Sequence, residues 1–347
     1  MTDRGAGRPL SGVRVVEFAS IGPGPHAGML LSDMGADVLR IDRPGGNGWP
    51  NPIMDRGRTV TTLDLRDDDG RMQAIAAVAQ ADILIEGYRP GVMERLGLGP
   101  EPMLACNPRL IYGRVTGWGQ EGPLAKIAGH DITYLALTGA LAAMGRQGEP
   151  AMPPLNLLGD FGGGSMLLVV GVLAALYERE RSGRGRVIDA AIIDGVMSFM
   201  TMFAGSAATG QLSQDRANNI LGGAAPFYRC YRCKDGREVA VGALEPAFFA
   251  VLCERLRAPP FITQERADWS RTAAWLEATF ASEPRAHWER VFEGTDACVS
   301  PVLTWDEVPN HPHHVGRKSF HSRDHLKQPV AIPRFGSVDQ TTRDEPS

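Results

Sequence analysis

Short β-branched runs alternate with helical segments from the start of the chain, and this order leaves few folds open. Residues 13–19 form an apolar run. A helical segment that opens with Gly22-Pro-Gly-Pro25 continues to Met34, and Asp37–Asp42 has the pattern of a second strand. A helix that joins two neighbouring strands makes them parallel, because the chain must cross back over the sheet. The segment therefore predicts a βαβ unit.

The same alternation continues to about residue 195. Further strands are predicted at 59–65, 83–85, 109–116 and 187–190, and further helices at 67–79, 130–144, 165–180 and from 192 onward. Repeated βα units favour an α/β fold with a doubly wound parallel sheet and helices on both faces. We predict a large Rossmann-like domain over 1–195, to which the stretch 315–347 returns.

The pattern changes after residue 222. Strand patterns at 227–233 and 238–241 flank the dipeptide Asp235-Gly236, which is typical of a β-hairpin turn. Helical patterns follow at 246–256, 271–282 and 284–293. These segments predict a small α+β domain over 225–310, joined to the large domain by a helical linker over 196–224.

The composition excludes several classes of protein. The chain has 36 Lys and Arg against 40 Asp and Glu, a net charge of -4, whereas nucleic-acid binding needs a dense cationic surface. The most apolar run, 166–177, is shorter than the roughly 20 residues that span a bilayer. Five cysteines are too few for a disulfide framework, and residues 1–9 lack the apolar core of a signal peptide. We expect a soluble cytoplasmic protein without membrane insertion.

The glycines after the first predicted strand resemble a dinucleotide-binding fingerprint. Gly22, Gly24 and Gly28 follow the strand, and Asp42 ends the next one. The spacing differs by one residue from that fingerprint, and prolines flank Gly24, where free amides would face a pyrophosphate. A tight strand-to-helix turn is therefore favoured over the site of an NAD-dependent oxidoreductase.

Two further groups of residues are interpreted as structural. Cys230 and Cys233 are three residues apart on a predicted strand, so their side chains would point to opposite faces. The His-Pro-His-His segment at 311–314 has no neighbouring group of Cys or carboxylate side chains. We predict no metal site.

The segment 159–165 gives the strongest functional signal. Asp160 stands two residues before three consecutive glycines, which cost chain entropy and are explained if a ligand lies against the backbone. Its carboxylate would lie beside free amides at a helix start. The motif Gly129-His130-Asp131 also begins a predicted helix. From its residues alone, this second motif is as consistent with helix capping as with catalysis.

Arginines concentrate near strand ends in the first third of the chain. This group consists of Arg40, Arg43, Arg58, Arg66, Arg89 and Arg95. Ligands bind at the carboxyl ends of parallel strands, and the forked guanidinium group is suited to phosphate. The pattern indicates a ligand that carries several phosphates.

Together these segments resemble the family III CoA-transferases and, within that family, the α-methylacyl-CoA racemases. The resemblance extends from Leu10 to about Phe335. Six motifs carry it: LSDMGADVLRIDRP at 31–44, IEGYRPG at 85–91, TGWGQ at 116–120, GHDITY at 129–134, PLNLLGDFGGG at 154–164 and VGALEP at 241–246. The resemblance implies a large Rossmann-like lobe, a small lobe and an interlocked homodimer with its active site between subunits.

The resemblance also implies roles for individual residues. His130 and Asp160 become the two acid/bases, with Glu245 orienting His130 and Asp131 playing the same part toward Asp160. The positions expected around CoA are Arg40, Leu63, Leu65, Arg66, Gly87, Tyr88, Arg89, Arg95, Gly129 and Tyr134.

The chemistry of these residues agrees with an isomerase of fatty acid metabolism. Interconversion of (R)- and (S)-2-methylacyl-CoA requires one base on each face of the carbon next to the thioester, and imidazole and carboxylate suit this work. The enolate intermediate needs hydrogen-bond donors for its oxygen, and we expect the amides of 162–164 to supply them. No metal or redox cofactor is required, because CoA is part of the substrate.

Other functions stay open at this point. A CoA-transferase of the same family would use Asp160 as a covalent nucleophile. The pair of His130 and Glu245 favours the racemase, because a transferase needs no second face. A non-catalytic acyl-CoA-binding protein would need neither residue. The acyl chain is also open among bile-acid precursors, branched fatty acids, steroid side chains and aryl-propionates.

Overall fold

A computed structural model describes residues 8–46, 49–211, 213, 215–323 and 325–336, and the chain divides into two compact units. The first unit takes in the described chain up to Thr138, then Pro154–Phe199 and the segment from Phe320 onward. The second unit consists of Gly139–Pro153 and Met200–Ser319. Residues 337–347 of the predicted C-terminal return lie outside the described residues.

The first unit is built on a six-stranded parallel sheet. Its strands are β1 (Arg14–Phe18), β2 (Asp37–Asp42), β3 (Arg58–Thr62), β4 (Ile83–Glu86), β5 (Ile111–Thr116) and β6 (Arg186–Ala191). They pair in the order β3-β2-β1-β4-β5-β6, so that Val16 of β1 lies between Leu39 and Leu84. This order confirms the predicted doubly wound sheet. The strand order reverses between β1 and β4, and ligands bind at such a point.

The helices of both units are numbered together along the chain. Those of the first unit are α1 (Pro23–Asp33), α2 (Asp68–Ala79), α3 (Val92–Arg95), α4 (Pro100–Cys106), α5 (Asp131–Ala136), α7 (Leu167–Ser182) and α8 (Ile192–Phe199). A π-helix over Leu157–Met166 runs directly into α7. On one face of the sheet Phe18, Leu84 and Tyr112 are buried in the core, where the Tyr112 hydroxyl donates to the Leu98 carbonyl at 2.8 Å.

By length and composition, the helical stretch Leu157–Ser182 could cross a membrane. Its inner face packs on the sheet. A Cβ at Gly113 of β5 would lie 2.8 Å from Leu168 Cδ1, and one at Gly171 would lie 3.0 Å from Ile188 Cγ2 of β6. Such close contacts explain why glycine occupies both positions, and they show that the inner face of the stretch packs on β5 and β6.

The second unit contains a three-stranded antiparallel sheet in the order β7-β8-β9, which agrees with the smaller α+β region that the sequence predicts. Its strands and helices are α6 (Ala140–Ala143), α9 (Thr201–Ala208), β7 (Tyr228–Arg232), β8 (Glu238–Gly242), α10 (Pro246–Leu256), α11 (Trp269–Ala281), α12 (Arg285–Phe292), β9 (Val299–Pro301) and α13 (Pro312–Gly316). Short 3-10 turns occur at Ile220–Gly222, Arg266–Asp268 and Val308–Asn310. The core is aromatic: the Phe280 ring lies 5.2 Å from the rings of both Tyr231 and Trp288. The hairpin of β10 (Phe320–Arg323) and β11 (Leu326–Pro329) returns to the first unit.

The division into units differs from the predicted one around residues 139–153, which were expected in the large domain. The predicted helix 130–144 breaks at Gly139, whose φ of 79° is left-handed and does not continue a helix. The Arg216 guanidinium then donates to the carbonyls of Ala142 at 2.8 Å and Glu149 at 2.7 Å. These bonds tie the segment to the second unit. The predicted linker over 196–224 is likewise not a separate segment: α8 belongs to the first unit and α9 to the second.

A buried ion pair joins β1, β3 and α1. Arg58 Nε lies 2.6 Å from Glu17 Oε2, and both side chains are fully buried. The same guanidinium donates to the carbonyls of Met54 and Pro25, the latter in the first turn of α1. A Cβ at Gly28 would clash with Glu17 Oε2. Gly28 therefore lets α1 lie over the ion pair, which supports the interpretation of this glycine pattern as a tight turn.

The Glu17–Arg58 pair predicts a pH-dependent contribution to stability. Burial raises the pKa of Glu17 to about 7, against the opposing charge of Arg58. Because this pKa is higher in the folded than in the unfolded chain, the folded state binds more protons between about pH 4.5 and pH 7. Its contribution is full below pH 4.5 and is lost as the pH rises toward 7. The loss is at most about 3 kcal/mol.

Urea unfolding of the wild type and Glu17→Gln over pH 4.5–7 measures this effect. The free energy of unfolding of the wild type should fall relative to that of Glu17→Gln as the pH rises. Glu101→Gln, at an exposed position in α4, is the matched control and should follow the wild type. Parallel curves for the wild type and Glu17→Gln would contradict the prediction.

Candidate active site

His130 and Asp131 stand at the start of α5, as the sequence predicts. His130 is the N-cap residue, and its amide donates to Thr133 Oγ1 at 2.9 Å while that hydroxyl donates back to the His130 carbonyl at 2.7 Å. These two bonds fix the backbone of His130. Its imidazole is exposed. The residue therefore combines a capping position with a side chain that solvent or a substrate can reach.

Tyr134 fixes the segment that precedes His130. Its hydroxyl donates to the Gly129 carbonyl at 2.6 Å, and its ring meets Trp118 edge-on at 4.8 Å. A Cβ at Gly117 or at Gly129 would clash with or crowd the same ring. Tyr134 and Gly129 were expected around CoA; the contacts seen here are with each other, and they position His130.

Asp160 lies in the first turn of the π-helix and is half-buried. Its amide donates to Asp131 Oδ2 at 2.7 Å, so the buried carboxylate of Asp131 caps the π-helix. Asn156 Nδ2 lies 3.3 Å from Asp160 Oδ2. On the opposite side, a Cβ at Gly22 would lie 2.9 Å from the same oxygen. The Asp160 side chain is thus held between α1 and its own helix.

Both carboxyl groups have raised pKa values. Burial is the main cause for Asp160; the charge of Asp131 adds to it, while the Asn156 amide and His130 act in the opposite direction. Burial likewise raises the pKa of Asp131, against the amides of Asp160 and Gly159 that donate to it. A pKa moved toward neutrality suits a group that must both take and return a proton.

The three consecutive glycines have a packing role that the sequence analysis did not predict. A Cβ at Gly163 would lie 2.8 Å from the Ile192 carbonyl, and one at Gly195 of α8 would clash with the Gly163 carbonyl. The π-helix and α8 therefore approach backbone to backbone. As π-helical residues, 162–164 donate their amides to carbonyls five residues earlier. The expectation that these amides serve an enolate oxygen was therefore wrong.

A cavity of about 590 Å³ opens at the carboxyl ends of β2, β3 and β4. That volume is typical of small-molecule sites. Four predicted CoA contacts are among its lining residues, namely Leu63, Leu65, Arg66 and Tyr88, and Arg43 contributes a second cation. Arg66 is 81% exposed at its side chain although it pairs with Asp64. Arg43 belonged to the strand-end arginines but was not among the predicted contacts.

The other predicted CoA residues divide into two groups. Arg89 and Arg95 are exposed near the end of β4, and Arg89 is close enough to Tyr134 to lower the pKa of its hydroxyl, which burial and Asp160 raise. Arg40 is different. It is buried, with its guanidinium 2.6 Å from Asp55 Oδ1 and 3.0 Å from Asp42 Oδ1. Arg40 therefore pairs with two carboxylates, and its predicted contact with a phosphate of CoA stays a prediction.

Some residues of the site were not predicted, and one predicted residue lies elsewhere. Asn156 and Gly22 contact Asp160, and neither was predicted to do so. The spacing of four residues between Asn156 and Asp160 could have indicated their contact, because residues four apart are neighbours on a helix surface. Gly87, another predicted CoA contact, directly follows the carboxyl end of β4. Glu245 precedes α10 in the second unit, where its side chain is exposed, and its role stays a prediction. Within the part of the chain that the structure describes, no group of three His, Cys, Asp or Glu side chains could hold a metal ion.

Comparison with known proteins identifies the class. The sequence matches CoA-transferase family III over residues 10–346, and the chain belongs to that family. This confirms the resemblance seen in the six motifs. A solved structure of a CAIB/BAIF family protein from Brucella suis superposes with a TM-score of 0.81 at 26% identity, covering 94% of this chain and 92% of that one.

Curated relatives are more specific. Alpha-methylacyl-CoA racemase of Mus musculus is 46% identical over 314 residues, and that of Homo sapiens is 42% identical over 316 residues; each match covers 90% of this chain and 82% of the relative. The acetyl-CoA:oxalate CoA-transferase of Acetobacter aceti is 31% identical over 333 residues, with 89% and 84% covered.

Proposed function

We propose that the protein is a 2-methylacyl-CoA racemase that interconverts (R)- and (S)-2-methylacyl-CoA thioesters through an enolate. The observation that carries the proposal is the arrangement of His130 and Asp160. His130 has an exposed imidazole, and its charge influences the pKa of the half-buried Asp160 carboxyl. Asp131, the neighbour of His130, accepts a hydrogen bond from the Asp160 amide. The two racemases that are 46% and 42% identical over most of the chain support the same activity.

In this mechanism one group removes the α-proton and the other returns a proton to the opposite face. When the Asp160 carboxylate takes the proton, imidazolium at His130 supplies the other, and the reverse direction exchanges these roles. Asp131 acts as a positioning residue through the Asp160 amide. We propose that the exposed carboxylate of Glu245 orients His130, as the family resemblance implies.

We propose that CoA binds in the cavity at the ends of β2, β3 and β4. Arg43 and Arg66 line this cavity, Arg89 and Arg95 are exposed on the chain that follows β4, and their charge-assisted forks suit the phosphates. Proton transfer between two protein acids moves no electron pair to an external acceptor, so the proposal includes no cofactor besides the CoA of the substrate. The five cysteines are free thiols, which suits a cytoplasmic enzyme of fatty acid metabolism.

A second candidate is a CoA-transferase in which Asp160 attacks the acyl-CoA and forms an acyl anhydride. The transferase of Acetobacter aceti, at 31% identity, belongs to the same family. The partly accessible carboxyl of Asp160 would serve this reaction as well. The transferase reaction is less supported, because it gives the imidazole of His130 no role in the chemistry.

Solvent exchange tests the racemase directly. Both enantiomers of 2-methylacyl-CoA should incorporate deuterium at the α-carbon in D2O. His130→Ala should suppress exchange from one enantiomer and Asp160→Ala from the other, each by about 10²–10⁴-fold. An adduct on Asp160 trapped by hydroxylamine, with no deuterium in either enantiomer, would establish the transferase instead.

Binding of CoA predicts a second set of variants. Arg89→Ala should raise KM for the acyl-CoA about tenfold with little change in kcat, because its contact is remote from the reacting carbon. Arg109→Ala, at another exposed arginine of the first unit, is the matched control. Wild-type KM in Arg89→Ala would place the phosphates elsewhere.

We also propose that the enzyme is an interlocked homodimer. The outward face of the π-helix and α7 carries exposed apolar side chains at helical spacing, Met166, Val170 and Tyr177, of which the last two are 56% and 69% exposed. Such a continuous apolar stripe suits contact with a second subunit.

The mass in solution tests the dimer. Sedimentation of the wild type at micromolar concentration should give about twice the chain mass of 37.4 kDa. Val170→Glu should shift the population to the single chain, and Glu101→Gln, a charge change of the same size at an exposed position of α4, should not. A wild-type mass of one chain with full activity would refute the proposal.

A further inference from the structure

A histidine and a serine outside the acid/base pair connect α1 to the second half of the π-helix. His26 Nδ1 lies 2.6 Å from Ser165 Oγ, and that hydroxyl also lies 2.9 Å from the Phe161 carbonyl. The His26 ring packs on the Phe161 ring at 4.6 Å. Ser165 is 0% exposed. Neither His26 nor Ser165 has a part in the chemistry described above.

The number of available protons decides which atom donates in each of these two hydrogen bonds. A serine hydroxyl has one proton, and Ser165 donates it to the Phe161 carbonyl. Ser165 Oγ can then only accept from His26, so His26 carries its proton on Nδ1. Burial and the nearby charges of Arg56 and Arg58 lower the pKa of His26 and favour the neutral ring. The bonds run from His26 to Ser165 and on to the carbonyl of the residue that follows Asp160.

The start of α1 also contacts the π-helix in its first half, at Asp160, and again in its second half, at Gly164. Gly22 lies against Asp160, and a Cβ at Gly164 would lie 3.0 Å from Pro23 Cβ. Together with the His26–Ser165 bond, these contacts attach one turn of α1 along both turns of the π-helix. A π-helix is rarer than an α-helix, and it is frequently found at functional sites. Relaxation to α-helical bonding would turn Asp160 about the helix axis.

We propose that His26 and Ser165 are positioning residues that hold the Asp160 carboxyl at the reacting carbon by fixing the π-helix against α1. The proposal rests on the racemase function proposed above. A displacement of about 1 Å at a catalytic group costs up to 10²-fold in rate. The two residues are therefore expected to affect the proton transfer that uses Asp160 and to leave CoA binding and the His130 side of the reaction unchanged.

The test compares Ser165→Ala, His26→Phe and His26→Asn, the last of which keeps an N–H close to the position of Nδ1. The matched control is Ser198→Ala, because the Ser198 hydroxyl also donates to a helix carbonyl, that of Gly195, but has no such histidine partner. For each variant, deuterium exchange with retention is measured for both enantiomers, together with KM and the melting temperature. Asp160→Ala identifies the enantiomer whose proton Asp160 removes.

Ser165→Ala and His26→Phe should slow exchange of that enantiomer about 10–100-fold, with KM within about twofold and the other enantiomer little affected. His26→Asn should restore most of the rate. The double variant Ser165→Ala/His26→Phe should lose no more than the slower single variant, because the residues act as one unit. If Ser165→Ala does not fold, the contrast between His26→Phe and His26→Asn decides the question.

Equal losses for both enantiomers, a raised KM, or no rescue by His26→Asn would overturn the positioning role. Normal exchange in all variants would do the same while leaving the racemase function intact. Absence of exchange in the wild type would overturn the racemase function and this proposal with it.

Discussion

The arrangement of the site depends on the hydrogen bond from the Asp160 amide to the Asp131 carboxylate. This 2.7 Å bond joins the first turns of α5 and the π-helix, whose starts are far apart in the sequence. Because His130 immediately precedes Asp131, the bond also ties the backbone of His130 to the start of the π-helix. The acceptor is buried, and amides at a helix start stabilise a negative charge there. The Asp131 carboxylate thus joins the two helix starts and adds to the effect of burial on the pKa of Asp160.

Helix α1 provides the other wall of the site, and its glycines show how. Gly22 has a φ of 77°, a conformation that a side chain would strain, and it lies against the Asp160 carboxyl. Gly28 lies over the buried pair of Glu17 and Arg58. A glycine pattern similar to that of a dinucleotide site therefore serves close packing here. It brings a helix start to the carboxyl of Asp160 instead of to a pyrophosphate.

The central strands β1, β2, β4 and β5 could be predicted from sequence because buried parallel strands are short apolar runs. Asp37–Asp42 is observed with the predicted bounds, and the other five strands lie within a few residues of theirs. The π-helix could not be predicted, since three glycines favour a loop and no local pattern encodes the approach of Gly163 to Gly195. The partners of Arg40 could not be predicted from the sequence either. Its residue type and strand-end position fit a phosphate ligand, but its partner Asp55 reaches it only through the tertiary fold.

The contrast between the two proposed acid/bases bears on the choice between racemase and transferase. A racemase works in both directions, so each turnover leaves the proton on the other group, and the two groups must hold it with similar free energy. An imidazole ordinarily has a pKa of about 6.5 and a carboxyl one near 4. Burial and the charge of Asp131 raise the pKa of Asp160 above this ordinary value of a carboxyl. A covalent transferase has no second proton carrier to match, so the raised pKa of the half-buried Asp160 carboxyl supports the proposed proton transfer across the α-carbon.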